Sequence, residues 1–578
     1  MSDFLFSTRH RLPGELQSTL ARYLSHVSVS IDERHGAWGS LAVARAHHDP
    51  ADVLVEEDGW LSVLVGEPVV HGEGEPSARS RVGGRRRAVH RLLRSEPRRA
   101  WERSIDSGFA ALAIDTAGGG MVLTDIASFV PVFVARVADG ELVIGTHVDA
   151  VARAAGRGHG IDPVSAADLA INLTCTFPHT LYRDVEQFPP ATARSFGPDG
   201  GWDEPHAYWR PVERSAYRTL DEAADALRFA VVADVRAACG GSDEVGLLLS
   251  GGEDARAVLG AVPPHVQVRA FVYADWQNRE VKVAQAVARA YGAACTFGPR
   301  EPDHYVNGLE PVARMIGSHN NFMDVHGWGF HERLGIRDLP VVLGGLSSDS
   351  FLKAEHAPDT AFNVDRFDLL SAEVIRPELR DAVIERRLRF RRWLAELRPK
   401  TATEWEKLWP FTQRKHSANV HGNRRLFAAH EVYHAVSVVT LAASVPQEWK
   451  YNRKLFHAAM KPLFRRSWYV PHSRWRFPFF GHAANLPLSA GLRITRGVRA
   501  LATGQVRARH QPWPKWRTVA RSAAAERIQR ERPAWETPLR DIFVDASADE
   551  LQDGVRQWHP LRELMLMQLA YLAEQAAE

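Results

Sequence analysis

The decisive stretch of this sequence reads Val245-Gly246-Leu247-Leu248-Leu249-Ser250-Gly251-Gly252-Glu253-Asp254-Ala255-Arg256. Its first five residues form an apolar run, which is expected of a strand buried on both faces. Residues 255–262 have the pattern of a helix, and the two prolines at 263 and 264 end it. The stretch therefore predicts a buried strand, a glycine turn and the start of a helix.

Helices and strands continue to alternate around this stretch. The further predicted segments are a helix at 220–239, a strand at 266–273, a helix at 280–291 and a strand at 340–343. This alternation predicts a parallel α/β sheet. Residues from about 365 to 465 are mostly helical in pattern, and another helix is expected at 561–572.

The first 207 residues have a different pattern, in which short strands follow one another closely. Apolar or alternating runs recur at 60–65, 109–114, 121–124, 130–137 and 142–145. Such spacing predicts antiparallel pairing. A glycine-rich turn at 197–201 marks a change of composition. We therefore predict domains at 1–207 and 208–485, followed by a basic, helical C-terminal extension at 486–578.

The glycine turn has the features of a phosphate-binding loop. Gly251 and Gly252 allow close approach of the backbone to a ligand, and the helix that follows offers free N–H groups at its N-terminus. Ser250 adds a hydroxyl donor. Asp254 is placed to hold a magnesium ion, and Arg256 to bind a phosphate or a carboxylate. No Gly-Lys-Ser/Thr follows, so this is not a Walker loop.

The loop resembles the Ser-Gly-Gly-x-Asp-Ser pyrophosphate loop of the N-type ATP pyrophosphatases, with Ala255 in place of the last serine. Over roughly residues 100–480 the chain resembles the asparagine synthetase family. The segments that carry this resemblance are Gly108-Phe109-Ala110-Ala111-Leu112-Ala113-Ile114-Asp115, Leu123-Thr124-Asp125, Tyr208-Trp209-Arg210-Pro211, Leu343-Gly344-Gly345-Leu346-Ser347-Ser348-Asp349-Ser350-Phe351 and Gln413-Arg414-Lys415-His416.

The resemblance implies an α/β multidomain fold. An N-terminal Ntn-hydrolase-like αββα sandwich would be followed by a parallel-sheet α/β ATP-pyrophosphatase (synthetase) domain with a helical C-terminal part. It also implies ATP and Mg²⁺ as cofactors, with Asp254 and Asp349 as the metal ligands. The residues implied in nucleotide binding are Leu249, Ser250, Gly251, Gly252, Asp254, Arg256, Gly344 and Gly345.

The family adenylates a substrate carboxylate, releases pyrophosphate and lets an amine displace AMP. Its glutaminase half needs a cysteine after the initiator methionine; this chain has Ser2, so we expect an inactive glutaminase-like domain. The β-lactam synthetases and lasso-peptide cyclases also lack that cysteine. We therefore expect an AMP-forming carbon–nitrogen ligase that acts on a small-molecule or peptide carboxylate. Two alternatives stay open: an asparagine synthase proper that uses free ammonia, and a non-catalytic scaffold that binds a peptide or a partner enzyme.

The catalytic residues have to be sought outside the family's usual positions, because Leu346 and Ser350 stand where the family has glutamates. The candidates for stabilising the developing pyrophosphate are Arg476, Lys454 and Lys450. The candidates for substrate binding or for the base are Asp324, His319 and His326. A hydrogen-bonded loop is the competing interpretation of the segment that contains these last three.

The amino-acid composition disfavours several classes of protein. The 72 basic and 69 acidic residues nearly balance, which disfavours nucleic acid as a partner. The three cysteines have no metal-ligand spacing. The sequence has no apolar run long enough to span a bilayer or to form a signal peptide. We expect a cytoplasmic protein without a membrane partner, and a homodimer or a partner biosynthetic enzyme stays open.

Overall fold

The computed structural model describes residues 2–49, 51–66, 68–72, 75–80, 83–95, 98–137, 140–158, 160–356, 373–481, 484–487, 490–491, 494–495, 498 and 514–577. Residues 357–372 and most of 482–513 therefore lie outside it. The first group includes part of the expected helical segment at 365–465, and the second includes part of the expected C-terminal extension.

The N-terminal 207 residues form mainly strands. The strands are β1 (Asp3–Ser7), β2 (Val29–Gly36), β3 (Gly39–Ala46), β4 (Leu54–Glu57), β5 (Trp60–Gly66), β6 (Val69–Gly72), β7 (Glu75–Ser80), β8 (Ile105–Asp106), β9 (Phe109–Asp115), β10 (Gly120–Thr124), β11 (Phe133–Arg136), β12 (Leu142–Gly145), β13 (Val185–Gln187), β14 (Thr192–Phe196) and β15 (His206–Ala207). The helices are α1 (Glu15–Leu24), α2 (Gly83–Ser95), α3 (Val148–Ala154) and α4 (Pro163–Asn172).

Twelve of these strands build two six-stranded antiparallel sheets, in the orders β13-β11-β12-β1-β3-β2 and β15-β14-β10-β9-β5-β4, and the other three form a small antiparallel sheet in the order β7-β6-β8. Apolar side chains from both sheets meet in one core, with Phe4 and Phe6 on one side and Val63 and Leu112 on the other. Helices cover the two outer faces, which gives four layers. The predicted antiparallel arrangement is confirmed. The sequence analysis did not predict β1 or the β2–β3 hairpin.

The second region alternates helices and strands, as the sequence predicts. Its strands are β16 (Glu244–Leu248), β17 (Gln267–Ala274), β18 (Ala294–Pro299), β19 (Val342–Gly344) and β20 (Ala429–Glu431). Its helices before residue 360 are α5 (Leu220–Cys239), α6 (Asp254–Ala261), α7 (Arg279–Tyr291), α8 (His304–Asn307), α9 (Leu309–Ile316), α10 (Phe330–Arg333) and α11 (Ser348–Leu352).

The five strands form one parallel sheet in the order β18-β17-β16-β19-β20. This confirms the predicted parallel α/β sheet. From the central strand β16, strands β17 and β18 extend the sheet on one side, and β19 and β20 extend it on the other. The central strand β16 is flanked on both sides, in keeping with its apolar run.

The later part of the chain is mostly helical. The helices are α12 (Pro377–Leu397), α13 (Ala402–Trp405), α14 (Ser417–Leu426), α15 (Val436–Ser444), α16 (Gln447–Lys450), α17 (Lys454–Met460), α18 (Trp516–Ala520), α19 (Ala523–Glu531), α20 (Ala548–Arg556) and α21 (Pro560–Ala577). Strand β20 interrupts this part. A three-residue strand is too short to show a sequence period, and it forms because it pairs with β19. Among the described helices, none has the length and apolarity needed to cross a membrane.

Helix α21 joins the two halves of the molecule. Its apolar residues, among them Leu564 and Leu569, share one core with side chains of α4 and α9. The buried Gln568 accepts a hydrogen bond from the Phe322 N–H at 2.8 Å and donates one to the Asn320 carbonyl at 2.6 Å. The C-terminal helix therefore fixes the backbone of residues 320–322.

A buried ion cluster joins β1 to α14. Asp3 accepts from Arg424 Nη2 at 2.9 Å, and from Arg425 Nε at 2.8 Å and Nη2 at 2.6 Å. Burial alone would raise the pKa of Asp3, but the two guanidinium groups outweigh it and hold the pKa well below its usual range. The carboxylate is therefore charged in the folded protein at neutral pH.

Replacing this carboxylate is expected to destabilise the fold strongly. Asp3→Ala leaves Arg424 and Arg425 buried without their shared anion, which costs about 3–5 kcal/mol in the free energy of unfolding. Because the folded-state pKa is depressed, the stabilisation is complete above the pKa of the unfolded carboxyl group and declines as pH falls toward the folded-state value. Urea unfolding at pH 7 and pH 3 measures both effects. The exposed Asp203→Ala is the matched control, and equal losses in the two variants would contradict the prediction.

Candidate functional site

Two loops flank the point at which the strand order of the parallel sheet reverses. One follows β16 and contains Ser250, Gly251 and Gly252; the other follows β19 and runs from Gly345 to Ser347. Neighbouring parallel strands end at the same edge of the sheet, so both loops lie at its carboxyl edge. In open α/β sheets, ligands bind in the crevice at such a point.

The glycine turn is compact and partly open to solvent. Ser250 is exposed, and its Oγ accepts from the Gly252 N–H at 3.1 Å. The Gly251 N–H donates to Glu280 Oε1 at 2.7 Å, so α7 also holds the turn. Helix α6 begins directly after it, at Asp254. The exposed hydroxyl and the helix start are suited to contact an anion.

The second loop packs closely on the first at Gly345. A Cβ atom at Gly345 would lie 2.8 Å from the Ala255 nitrogen, so a side chain there would force the two loops apart. Gly344, the last residue of β19, instead lies against β20, because a Cβ atom there would overlap the carboxylate of Glu431. The two predicted loops are therefore in direct contact. This contact does not test the predicted role of Gly344 and Gly345 in nucleotide binding.

A buried lysine lies between the two predicted magnesium ligands. Lys353 Nζ is 2.8 Å from Asp349 Oδ1 and 3.1 Å from Glu253 Oε1, and it also contacts Asp254 Oδ1. Its side chain is only 3% exposed, whereas that of Asp349 is 51% exposed. The ring of Phe456 covers the ammonium group from 4.2 Å. Three carboxylates thus converge on one cation.

Two arginines complete this cluster. Arg453 Nε and Arg476 Nη2 lie 3.0 and 3.1 Å from Glu253 Oε1. Glu253 is therefore surrounded by three cationic groups. Arg476, predicted from the sequence, is brought to the loop, whereas Lys454 is exposed and has no described contact with it. Its neighbour Arg453 makes that contact instead.

The carboxylates of the cluster differ in acidity. Burial raises the pKa of Asp254 to about 6, with support from the nearby negative charges of Asp349 and Glu253. Burial also acts to raise the pKa of Asp349 and Glu253, but the ammonium group of Lys353 outweighs it and lowers both. At neutral pH the cluster is thus close to charge balance, with three acids facing Lys353, Arg453 and Arg476.

The fit of this cluster to magnesium can be judged from its donors. Among the residues that the structure describes, no three histidine, cysteine or carboxylate side chains form a metal-binding group, and Lys353 lies between Asp254 and Asp349. Magnesium usually takes only one or two protein carboxylates and draws its other oxygens from phosphates and water. Asp254 and Asp349 meet that requirement, provided that Lys353 gives way or that the ion binds the more exposed side of Asp349.

The segment 470–476 lies against the glycine turn. The Ser473 N–H donates to the Gly251 carbonyl at 3.0 Å. Arg256 is fully buried, and its Nη1 and Nη2 donate to the carbonyls of Val470 and Pro471 at 2.7 and 3.2 Å. Arg256 thus positions this segment. Its predicted contact with a phosphate or carboxylate would require it to leave these bonds.

The candidates in the segment 319–326 occupy different environments. Asp324 accepts from His416 Nδ1 at 2.9 Å. Burial tends to raise the pKa of Asp324, but His416 outweighs it and lowers the pKa to about 2, so Asp324 is a poor base. His326 contacts the Tyr305 hydroxyl at 3.0 Å. His319 is buried, and burial lowers its pKa to about 4.

Lys450 is the remaining candidate from the sequence. It is buried, and its Nζ lies 3.7 Å from Glu404 Oε1.

Glu431 at the end of β20 is a buried acid that the sequence analysis did not single out. Its Oε2 accepts from the Leu346 N–H at 3.0 Å, in the second loop. Burial raises its pKa to about 7. In the same loop the Ser347 hydroxyl lies 2.8 Å from His434 Nε2 and accepts from Arg414 Nη1 at 2.9 Å.

Ser2 stands at the position for which the resemblance implies a cysteine. It is fully buried, and its hydroxyl donates to Asp49 Oδ2 at 2.6 Å. Its backbone nitrogen lies 2.6 Å from the same oxygen. This hydroxyl therefore has no open approach for a substrate in the conformation described.

The sequence analysis missed three charged residues that complete the site. Glu253 lies within the stretch quoted at the outset but was given no role. Lys353 stands four residues after Asp349, a spacing that places both on one helix face and that could have indicated the pair. Arg453 offered no such signal, since the chain reaches the loop only through the tertiary fold.

No protein-family model matches the chain, and a search of curated proteins finds no match either.

Removing the lysine tests whether the carboxylates form a metal site. Lys353→Met takes the competing cation from between Asp254 and Asp349. Unit charges 4 Å apart interact by about 4 kcal/mol at an effective dielectric constant near 20. We therefore expect Mn²⁺, measured by electron paramagnetic resonance without nucleotide, to bind at least about tenfold more tightly. The exposed Lys282→Met is the control. Unchanged or weaker Mn²⁺ binding in a folded Lys353→Met protein would count against a metal site here.

Proposed function

We propose that this chain is an AMP-forming carbon–nitrogen ligase that adenylates a substrate carboxylate with ATP and then transfers the acyl group to an amine. One observation carries the proposal: the glycine turn after β16 and the Asp349 loop after β19 meet at the reversal point of the parallel sheet. This is where such sheets bind ligands. The resemblance to the asparagine synthetase family, carried by the same two loops, supplies the reaction.

The glycine turn would receive the phosphates of ATP. Ser250 is exposed there, and α6 begins close by at Asp254, where the first backbone N–H groups of a helix have no partner within the helix. Asp254 and Asp349 would hold Mg²⁺, which would neutralise phosphate charge. Arg453 and Arg476, already gathered at Glu253, would stabilise the negative charge of the departing pyrophosphate.

The reaction then has two balanced steps. A carboxylate oxygen of the substrate attacks the α-phosphorus of ATP, and the bond to the β-phosphate oxygen breaks to release pyrophosphate. The amine nitrogen next attacks the activated carbonyl carbon, AMP leaves, and the ammonium proton passes to a base. The first step needs positioned cations, and the second needs a proton acceptor of suitable pKa.

His416 is the best placed proton acceptor. Its Nδ1 contacts Asp324 at 2.9 Å, which leaves Nε2 as the free ring nitrogen of the pair, and its side chain is 43% exposed. A buried carboxylate that orients a more exposed imidazole is a common arrangement in general base catalysis. Asp324, predicted as a catalytic residue, would in this arrangement position His416 and stabilise its protonated form.

The N-terminal domain would serve as a scaffold in this function. Its four layers agree with the Ntn-hydrolase-like sandwich that the resemblance implies. The buried Ser2 favours an amine that comes from the substrate and not from glutamine. Free ammonia remains an alternative amine. A non-catalytic scaffold is favoured by Lys353, which lies where the magnesium would bind.

The nucleotide site is tested by the pair Asp254→Ala and Asp203→Ala. We expect the wild type to bind Mg-ATP in titration calorimetry and to exchange labelled pyrophosphate into ATP with one member of a panel of carboxylates. Asp254→Ala should weaken Mg-ATP binding by about tenfold or more, as loss of one charged contact implies. Asp203→Ala should leave it unchanged. Absence of Mg-ATP binding at millimolar concentration in the wild type would favour the scaffold.

The base is tested by separating the two steps in His416→Gln. Pyrophosphate exchange should persist, because the first step moves no proton to His416. Transfer to methylamine, which is protonated at neutral pH, should fall by about 10²–10⁴-fold. Transfer to hydroxylamine, which is unprotonated there, should change little. Equal losses with both amines would show that His416 acts in another way.

A further inference from the structure

A long stretch near the end of the second region lacks acidic residues. Residues 449–525 contain 16 lysines and arginines but no aspartate or glutamate. The whole chain has 72 basic and 69 acidic residues, so its near balance conceals a local excess of positive charge. The described residues 449–481 carry 8 of these cations. A run of one charge sign attracts partners of the opposite sign.

A 3₁₀ helix, Lys461–Ser467, turns part of this stretch toward solvent. Buried residues recur at every third position along it and just beyond it, which is the repeat of such a helix. They are Phe464, Ser467 and Val470. The residues between them are exposed: Arg465 and Arg466 come first, and Trp468 and Tyr469 follow, with 52% and 54% of their surface exposed. The fold therefore presents two cations and two aromatic rings side by side.

Five aromatic rings lie together at this surface. The Trp468 ring contacts those of Tyr469 and Phe480, with centroids 5.9 and 6.4 Å apart. The Phe480 ring contacts those of Phe477 and Phe479, at 6.1 and 5.4 Å. None of the five residues is buried. Single exposed apolar side chains are common, but a contiguous patch indicates an interaction site. We call these five residues the aromatic cluster.

The backbone that carries the aromatic cluster is held in place. Asn485 Oδ1 accepts from the Phe477 N–H at 2.7 Å, and its Nδ2 donates to the carbonyls of Phe477 and Phe480 at 2.9 and 2.7 Å. Between the two halves of the cluster, Arg256 binds the carbonyls of Val470 and Pro471. Because these segments are already fixed, a partner that covers the rings has little backbone to order.

Cations border the aromatic cluster. Lys461 Nζ lies 5.5 Å from the centroid of the Phe479 ring, and Arg465 and Arg466 precede Trp468 directly. All three cations are exposed. Tryptophan and tyrosine are enriched where membrane and water meet. Apolar side chains combined with lysine and arginine are typical of proteins that lie on anionic membranes.

We propose that the aromatic cluster and its bordering cations dock this protein onto an anionic lipid surface. The rings enter the boundary between headgroups and acyl chains, and Lys461, Arg465 and Arg466 contact lipid phosphates. Such docking needs no helix that crosses the membrane. It therefore revises the expectation that the protein has no membrane partner, which depended on the lack of a spanning segment. The proposal does not rest on the proposed ligase function.

Nucleic acid is the competing anionic partner, since it also binds basic surfaces with aromatic rings. Aliphatic side chains favour lipid. Further along the same acid-free stretch, Ile494 and Val498 lie on helical backbone four residues apart and are 68% and 61% exposed. Aliphatic groups gain from burial among acyl chains, whereas single-stranded nucleic acid is bound through stacking on rings and through phosphate contacts.

The test is flotation of the full-length protein with lipid vesicles. We expect binding to vesicles of equal parts phosphatidylglycerol and phosphatidylcholine, and none to phosphatidylcholine alone. Trp468→Ser combined with Tyr469→Ser should weaken binding by about tenfold or more, because two interfacial rings are lost. Arg465→Gln combined with Arg466→Gln should weaken it by about fivefold for each charge removed.

Two control variants change exposed residues elsewhere. Phe229→Ser, at a ring of α5 that is 74% exposed, matches the aromatic variant, and Arg392→Gln on α12 matches the arginine variant. Both should float as the wild type does. Melting curves establish that each variant is folded. If the aromatic double variant is not, the arginine double variant decides alone.

Four results would overturn the proposal: no flotation with anionic vesicles, equal flotation with neutral vesicles, unchanged binding in a folded double variant, or an equal loss in the controls. Glycerol phosphate and a mixed-sequence single-stranded RNA are titrated in parallel. Displacement from vesicles by millimolar glycerol phosphate would show a site for free phosphate instead of a lipid surface. RNA binding that the same variants abolish, without flotation, would make nucleic acid the partner. Mg-ATP titrations report on the ligase separately, so either proposal can fail alone.

Discussion

The strand order of the parallel sheet is the constraint on which the rest of the structure depends. From β16 the chain builds outward to β18, and β19 then pairs with the opposite side of β16. The loops after these two strands are more than 90 residues apart in sequence and are nevertheless brought into contact. Gly345 allows that contact, since its missing side chain leaves room for Ala255. The carboxylates at 254 and 349 reach one cation only because of this topology.

The acidic and basic side chains at the crevice nearly balance in charge, and an anionic ligand would change that balance. Three carboxylates would repel one another, and Lys353, Arg453 and Arg476 offset that repulsion. An incoming triphosphate would attract the same cations and weaken their hold on Glu253. The cluster is therefore suited to exchange internal ion pairs for ligand contacts. Asp349 is the most solvent-exposed of the three carboxylates.

Much of the fold could be predicted from local patterns, because buried strands and capped helices have strong sequence signals. Helix α5 was predicted with the bounds it has, and β16 to within a residue. Strand β20 could not be predicted, since three residues carry no period and β19 supplies its pairing.

The two loops of the candidate site were identified from their glycines and aspartates. Lys353, Arg453 and Glu431 were not, because their positions depend on packing between distant segments. Arg256 was noticed for its charge, but its burial against residues 470 and 471 could not be foreseen.

The hydrogen bonds of Gln568 have a consequence for biogenesis. Both bonds reach residues 320 and 322, two to four positions before the aspartate that orients His416. During translation, residue 568 is synthesised some 150 residues after residue 416. Until α21 emerges and docks between α4 and α9, the backbone beneath Asp324 lacks these anchors, and the core that it shares with the N-terminal domain is incomplete. The geometry described for the candidate site is therefore complete only after residue 568 has been synthesised and α21 has docked.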